Sequence, residues 1–283
     1  MEIRHNSERE TIIPYLNPLV FLSMLKRKRD LIWQFAKREV SSRYKGSYMG
    51  ILWSFINPLL MLLIYTFVFS VIFQVKWNQG EVTSKTEFAL TLFCGLIAFT
   101  LFSEMMNKST TLITNNQNYV KKVVFPLEVL PVSNLLSGLI HFTISLAALL
   151  IVQAFTTHSI SWTIIFLPVV IIPLLFLTLA LSYFLASLSV YVRDVSHTVA
   201  IIISVLFYIT PIFYPIDAVP AYFRTFMNIN PLTDIVTNFR KIILWGQIPD
   251  FYNLLIWTLG TFVILLLGYG WFNVTKRGFS DVI

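Results

Sequence analysis

Lys26-Arg27-Lys28-Arg29-Asp30-Leu31-Ile32-Trp33 opens a stretch that continues to Arg43-Tyr44-Lys45-Gly46-Ser47-Tyr48-Met49-Gly50. Residues 51–75 then carry no charge at all. At about 1.5 Å per residue, that uncharged run exceeds the roughly 30 Å hydrocarbon core of a bilayer. Apolar residues recur along the basic part at Leu25, Ile32, Ala36, Val40 and Tyr44, with Phe35 beside them, while Lys26, Arg27, Gln34, Lys37, Arg38 and Ser41 take the other face. This is the pattern of a helix lying in the headgroup layer. The stretch therefore reads as a surface helix over residues 26–46 that runs into a first membrane span.

Working outward, the composition agrees. The 283 residues are 56% hydrophobic and 12% charged, with a mean hydropathy of +0.73. A soluble domain carries roughly 25% charged residues, so the bulk of this chain belongs in lipid. The net charge of +7 sits beside the apolar segments rather than on a polar domain, which speaks against nucleic acid as a partner. The single cysteine, Cys94, lies in an apolar run and implies neither a disulfide nor a metal cluster. Residues 1–18 hold no apolar run of signal-peptide type, so the first span is expected to act as the insertion signal.

Six apolar segments are expected to span: residues 51–75, 88–106, 129–155, 164–192, 195–214 and 254–272. The fourth is long and carries Pro168 and Pro173, which predict a bent or interfacial start. With the amino end inside, 16 of the 21 Lys and Arg residues fall on the cytoplasmic side and 5 outside, so both termini are expected in the cytoplasm. Residues 1–25 read as a cytoplasmic tail, 47–275 as the membrane domain and 276–283 as a second tail. The whole is an all-α polytopic membrane protein.

Between the fifth and sixth segments, residues 215–252 hold Tyr222, Phe223, Phe226, Phe239 and Trp245, punctuated by Pro215, Pro220, Pro231 and Pro249. This is too apolar for a solvated loop and too broken for a span. A pair of short re-entrant helices in the outer leaflet, or an aromatic belt, fits it. Glu104, Glu128, His141 and the Arg193-Asp194 pair are the ionisable groups in or near the spans, and only His141 is deep. No chain of acids for ion coupling is present, and no Gly-x-x-x-x-Gly-Lys-Ser/Thr loop for ATP. Leu136-Ser137-Gly138 reads as small-residue helix packing, and Gly46 with Gly50 makes a Gly-x-x-x-Gly spacing.

Several wordings together are more specific than any one. Arg43-Tyr44-Lys45-Gly46-Ser47-x-x-Gly50-x-Leu52-Trp53 with Asn57-Pro58-Leu59 resembles the start of type-2 ABC exporter permeases that move bacterial polysaccharides. Val120-Lys121-Lys122-Val123-x-Phe125-Pro126, Arg193-Asp194-Val195, Thr210-Pro211-Ile212-Phe213-Tyr214-Pro215, Asn230-Pro231-Leu232-Thr233 and Gly278-Phe279-Ser280-Asp281-Val282 match as well. The likeness covers roughly residues 26–283 and points to the O-antigen and teichoic-acid branch.

The resemblance implies a permease homodimer in the bacterial inner membrane, paired with two copies of a cytoplasmic ABC ATPase that binds ATP and Mg. This chain would then hold no cofactor and would not be an enzyme. Its implied cargo is a glycan on a polyprenyl-diphosphate lipid. Lys37, Arg38, Arg43, Asn118, Tyr119, Lys121, Lys122, Arg193 and Asp194 would meet the ATPase. Trp53, Tyr65, Phe69, Phe207, Tyr208 and Tyr214 would line the substrate path. The cluster Lys26, Arg27, Lys28 and Arg29 is expected to attract the anionic lipid headgroup. Alternatives are a permease for capsule or for another amphiphile such as a lipid, drug or haem. A polyprenol-linked glycosyltransferase needs clustered loop acids, and Glu81, Glu87, Asp217, Asp234 and Asp250 are scattered. An ion channel would need a ring of polar residues in one span.

Overall fold

The computed structural model describes residues 12–72, 85–121, 125–158 and 160–283, and no strand occurs among them. A short 3-10 turn, Ile13–Leu16, leads into α1 (Pro18–Tyr44). Then come α2 (Trp53–Tyr65), which continues as a wider-turned helix over Thr66–Ile72, and α3 (Lys85–Ser109). The four-residue α4 (Gln117–Val120) precedes α5 (Val129–Thr157), α6 (Leu167–Val170), α7 (Ile172–Tyr191) and α8 (Val195–Ile209). Last are α9 (Ala221–Asn228), α10 (Pro231–Ile243), α11 (Phe251–Thr275) and α12 (Phe279–Val282).

Among the described residues, four helical stretches are long and apolar enough to cross a membrane: Thr86–Ser109, Val129–Thr157, Trp162–Tyr191 and Phe251–Val282. Trp53–Val68 and Val195–Ile209 are apolar but shorter. The long fourth segment is broken as its prolines predict. A 3-10 turn, Trp162–Phe166, gives way to α6 and then α7, with Pro168 and Pro173 in the first turns of those two helices. A first-turn proline loses no hydrogen bond, because its missing N–H would have had no partner in the helix.

The surface helix begins earlier than the sequence pattern suggested. Asn17 accepts a hydrogen bond from the Leu19 backbone N–H at 2.9 Å, and Pro18 fills the first turn. Residues 18–25, expected in a tail, are thus the first turns of α1. Phe21 and Met24 extend the buried stripe of Ile32 and Ala36 backward. That stripe lies along α5, with Phe21 edge-on to Tyr269 of α11 at 5.1 Å between ring centres. The apolar face expected to rest on lipid is therefore covered by protein. The repeat alone could not separate the two, since either surface accepts the same side chains.

Cross-links define two ends. At one, the Lys276 ammonium meets Glu128 at 2.9 Å, Tyr191 donates to the Thr275 carbonyl at 2.8 Å, and Ser109 and Ser182 share a hydrogen bond of 2.5 Å. At the other, Gln153 donates to the Ile243 carbonyl at 2.9 Å and Thr163 to the Ile242 carbonyl at 2.6 Å.

The two short helices expected between the fifth and sixth segments are present as α9 and α10, and they differ. Tyr222, Phe223, Phe226 and Ile229, on and just after α9, are exposed, whereas α10 is inserted beside α3. Arg240 of α10, counted in the sequence as an outer loop charge, is fully buried and 2% exposed. Its guanidinium donates to the carbonyls of Thr91, Pro211 and Ile212 at 2.9, 2.7 and 2.8 Å. These three bonds tie α3, the turn after α8, and α10 into one corner. The signal was in the sequence: Leu232, Val236, Phe239 and Ile243 recur at three- and four-residue steps, and Arg240 falls on that same face.

Candidate functional site

A cleft of about 880 Å³ lies between α2, α3, α5 and α8. Its walls follow from the local sequence. α2 has the single buried residue Ser54 and turns Trp53, Asn57 and Tyr65 toward the cleft. α3 supplies Thr100 and Glu104 along the facing wall, and α5 supplies His141. Gly138 lets α5 approach closely: a methyl group there would come within 2.9 Å of the Leu101 side chain. This is the small-residue packing read from Leu136-Ser137-Gly138. The other pair behaves differently. Gly46 and Gly50 have φ of +85° and +52° in the link from α1 to α2, with nothing near enough to pack against. They are there for left-handed backbone and do not hold helices together.

The lining changes along the cleft. At one end Arg43 and Glu104 form an ion pair. Glu104 also faces Lys108 at 3.5 Å, and Lys108 meets Glu39 at 3.0 Å, so α1 and α3 are joined by alternating charges. Hydroxyl, amide and imidazole groups of Ser47, Asn57, Thr100, His141 and Ser145 follow. The far end is aromatic, where Phe207 packs at 5.2 Å from Phe99 and 4.9 Å from Phe213, and Tyr65 sits 6.0 Å from Phe213. Glu104 and Phe93 both line the wall, and eleven residues of helix separate them by about 16 Å. Such a passage suits a molecule with a polar, hydroxylated part and an apolar part.

Of the expected path residues, Trp53, Tyr65, Phe207 and Tyr208 line the cleft. Tyr214 folds back from the turn after α8 and donates to the Tyr208 carbonyl at 2.6 Å. The side chain of Phe69 lies outside the described residues. The residues expected to face an ATPase divide. Lys37, Arg38, Asn118, Lys121, Arg193 and Asp194 are exposed, and Lys122 lies outside the described residues. Arg43 is exposed as well, and its side chain pairs with Glu104 of α3 where both line the cleft. Arg38 donates to the Tyr119 hydroxyl at 2.6 Å and lies over the Phe35 ring at 4.4 Å, while Tyr119 stacks on Phe125 at 4.5 Å. The basic surface of α1 and the α4 loop, far apart in sequence, are thereby clasped together. Lys26, Arg27, Lys28 and Arg29 are exposed on α1, and Arg29 lies about 21 Å along the helix from Arg43.

Sequence reading placed Glu104 near the water and gave it no partner. Pairing it with Arg43 needed the α1–α3 contact, since the two are separated by a whole span in the chain. Among the described residues no three His, Cys, Asp or Glu side chains gather as metal ligands.

A family model described as ABC-2 type transporter matches residues 30–244 of this chain. The chain is 28% identical to the O-antigen export system permease protein RfbA of Myxococcus xanthus, over 92% of this chain and 97% of that protein. It is 29% identical to a protein of the same name from Klebsiella pneumoniae, over 90% and 95% of the two. The polysialic acid transport protein KpsM of Escherichia coli is 24% identical, over 85% of this chain and 91% of its own.

Proposed function

This chain belongs to the ABC-2 type transporter family, and on that premise we propose that it exports a polyprenyl-diphosphate-linked polysaccharide, O-antigen ahead of teichoic acid. It is a transport subunit of the bacterial inner membrane and not an enzyme, since in this family ATP is hydrolysed by a separate subunit. The observation that carries the reading is the cleft, which grades from a charged end through hydroxyls and amides to aromatic rings. Ring faces and hydrogen-bonding groups side by side are what a carbohydrate needs, and the apolar end suits a polyprenyl tail. The two RfbA proteins, each matched over nearly its full length, support O-antigen as cargo.

The four long stretches and the two shorter apolar helices make six crossings, with both termini on the cytoplasmic side, where the positive charge is concentrated. Two copies join by the faces where Leu63 and Ile64 of α2 and Ile201 and Ile202 of α8 are exposed. α1 sits at the membrane surface with Leu19, Leu22 and Trp33 exposed toward lipid. Two ATPase subunits press on the clasped surface of Lys37, Arg38, Asn118, Tyr119 and Lys121 and on Arg193 and Asp194. Their closure moves α1 and opens the seam between permeases. Lys26, Arg27, Lys28 and Arg29 gather the anionic headgroup at the surface.

Purified with its ATPase and reconstituted, the complex is expected to hydrolyse ATP faster when the lipid-linked glycan of its own cell is added. Cells lacking the gene are expected to accumulate that glycan in the cytoplasm. Stimulation by an unrelated amphiphile but not by lipid-linked glycan would sink the reading. A capsule polysaccharide is the second reading, favoured by the likeness to KpsM. The same assay separates the two.

A further inference from the structure

Two charged places that α1 contributes to differ in kind. The exposed cluster of Lys26, Arg27, Lys28 and Arg29 is cationic, with Asp30 beside it. The network at the end of the cleft is balanced: Arg43 and Lys108 stand against Glu104 and Glu39. Of these four, only Arg43 and Glu104 line the cleft, while Lys108 and Glu39 continue the network behind it.

That balance decides what the end of the cleft can recognise. A diphosphate brings two or more negative charges. To reach Arg43 it must displace or lie against the Glu104 carboxylate, and like charges at contact distance repel. An uncharged polyol meets no such barrier. Each sugar hydroxyl both donates and accepts. A carboxylate supplies acceptor sites in one plane, and a guanidinium supplies donors in a fork beside it. Trp53, Asn57 and His141 line the same cleft, adding a ring face, an amide and an imidazole. A neutral pair already held in geometry by the α1–α3 network is pre-organised for hydroxyls.

We propose that Arg43 and Glu104 form a carbohydrate-hydroxyl subsite, so that the cleft reads the sugar and is indifferent to the diphosphate. This rests on the export reading above and adds to it a division of labour. The basic cluster on α1 holds the headgroup, and Arg43, about 21 Å along the same helix from Arg29 and paired with Glu104 of α3, selects the glycan. The source of the hydroxyls is the exported chain itself, not a sugar-bearing membrane lipid.

The test uses the permease–ATPase complex in vesicles and two probes, bare polyprenyl diphosphate and the glycan-bearing polyprenyl diphosphate extracted from the producing cells. For the wild type, the glycan-bearing lipid is expected to stimulate hydrolysis at lower concentration than the bare lipid. Glu104→Gln and Arg43→Gln are expected to raise the half-stimulating concentration about tenfold or more for the glycan-bearing lipid only, the size of one lost charge-assisted hydrogen bond. Glu39→Gln disturbs the same network behind the cleft and is expected to leave the ratio between the two probes unchanged. Asn57→Ala lies outside the ion network, tests the same wall without loosening α1 from α3, and is expected to give a smaller shift of the same kind.

Equal shifts for both probes would overturn the proposal in favour of a phosphate site or a purely structural pair. So would shifts for neither, or a ratio moved as much by Glu39→Gln as by Glu104→Gln. Adding an unlinked glycolipid that competes as well as the exported glycan would overturn the assignment of the source. A wild type deaf to the glycan-bearing lipid would instead bring down the export reading, and the subsite with it.

Discussion

Helices α3 and α11 are each 25 residues long, and their most apolar stretches have mean hydropathies of 1.8 and 1.9. Yet 83% of that stretch is buried in α3 and 22% in α11. α3 is packed against α5, α7, α8 and α10, whereas α11 leans on α7 along one side and leaves Leu255, Leu259 and Val263 exposed. In water such a difference would be written in the residue types. In a bilayer it is not, because hydrocarbon accepts a leucine as readily as a protein interior does. Either helix is seated by polar and small residues at contacts, such as Gly95 against Arg240 and Ser109 against Ser182 on α3, and Gly268 against Ala180 on α11.

The packing of α3 is most sensitive at Gly95. A side-chain carbon there would come within 2.7 Å of an Arg240 nitrogen and 3.1 Å of Val236. Gly95→Leu is expected to force the guanidinium off its three carbonyls. The loss is about 3 kcal/mol or more, since overpacking and unpaired buried groups add. Loss of the monodisperse detergent-solubilised species would register it, and an unaltered melting curve would show that Arg240 does not hold the corner.

Gly268 asks whether the peripheral helix has one contact as strict. A carbon at that position would lie 2.5 Å from the Ala180 backbone oxygen of α7, which cannot swing away. Gly268→Val is expected to cost about 1–3 kcal/mol, read as a lower unfolding temperature. A variant as stable as wild type would mean that α11 has no fixed seat on α7.

A smaller effect is expected at the end of α11. Lys276 bonds Glu128 at 2.9 Å and the Asn273 side chain at 2.7 Å, both partly buried. Lys276→Met should cost about 1 kcal/mol, and less in high salt, because the pair is partly exposed to solvent. Salt-independent loss would argue that packing, and not charge, fixes this end.

At the lower limit stands Leu259→Ala on the outer face of α11, where the leucine is 57% exposed. The change is expected to stay within about 0.5 kcal/mol. A loss comparable to that at Gly268 would reveal a partner covering this face.

The sequence was most readable where local chemistry acts alone. The broken start at Pro168 and Pro173, the small-residue approach at Gly138, and the two short helices before α11 were all visible as residue types at spacings. Four of the six aromatics expected on the path line the cleft, because they lie on the helices that form it. Arg240 was misjudged, and the pairing of Glu104 with Arg43 was not foreseen, for a shared reason. A charge near the end of an apolar segment looks wet in one dimension, and only a neighbouring helix makes it dry or paired. The start of α1 was missed because residues 18–25 fall before the basic run, and Phe21 finds its place only against Tyr269 of α11.

Residue order by itself determined that this chain lives in lipid and where its long fourth apolar segment breaks, because each depends on a few adjacent residues and their solvent. Which helix stands at the centre, which face of α1 is covered, and which charges meet across the cleft were settled only by tertiary packing. Those outcomes depend on residues far apart in the chain that share no local pattern, and lipid removes the contrast between inside and outside that patterning uses elsewhere.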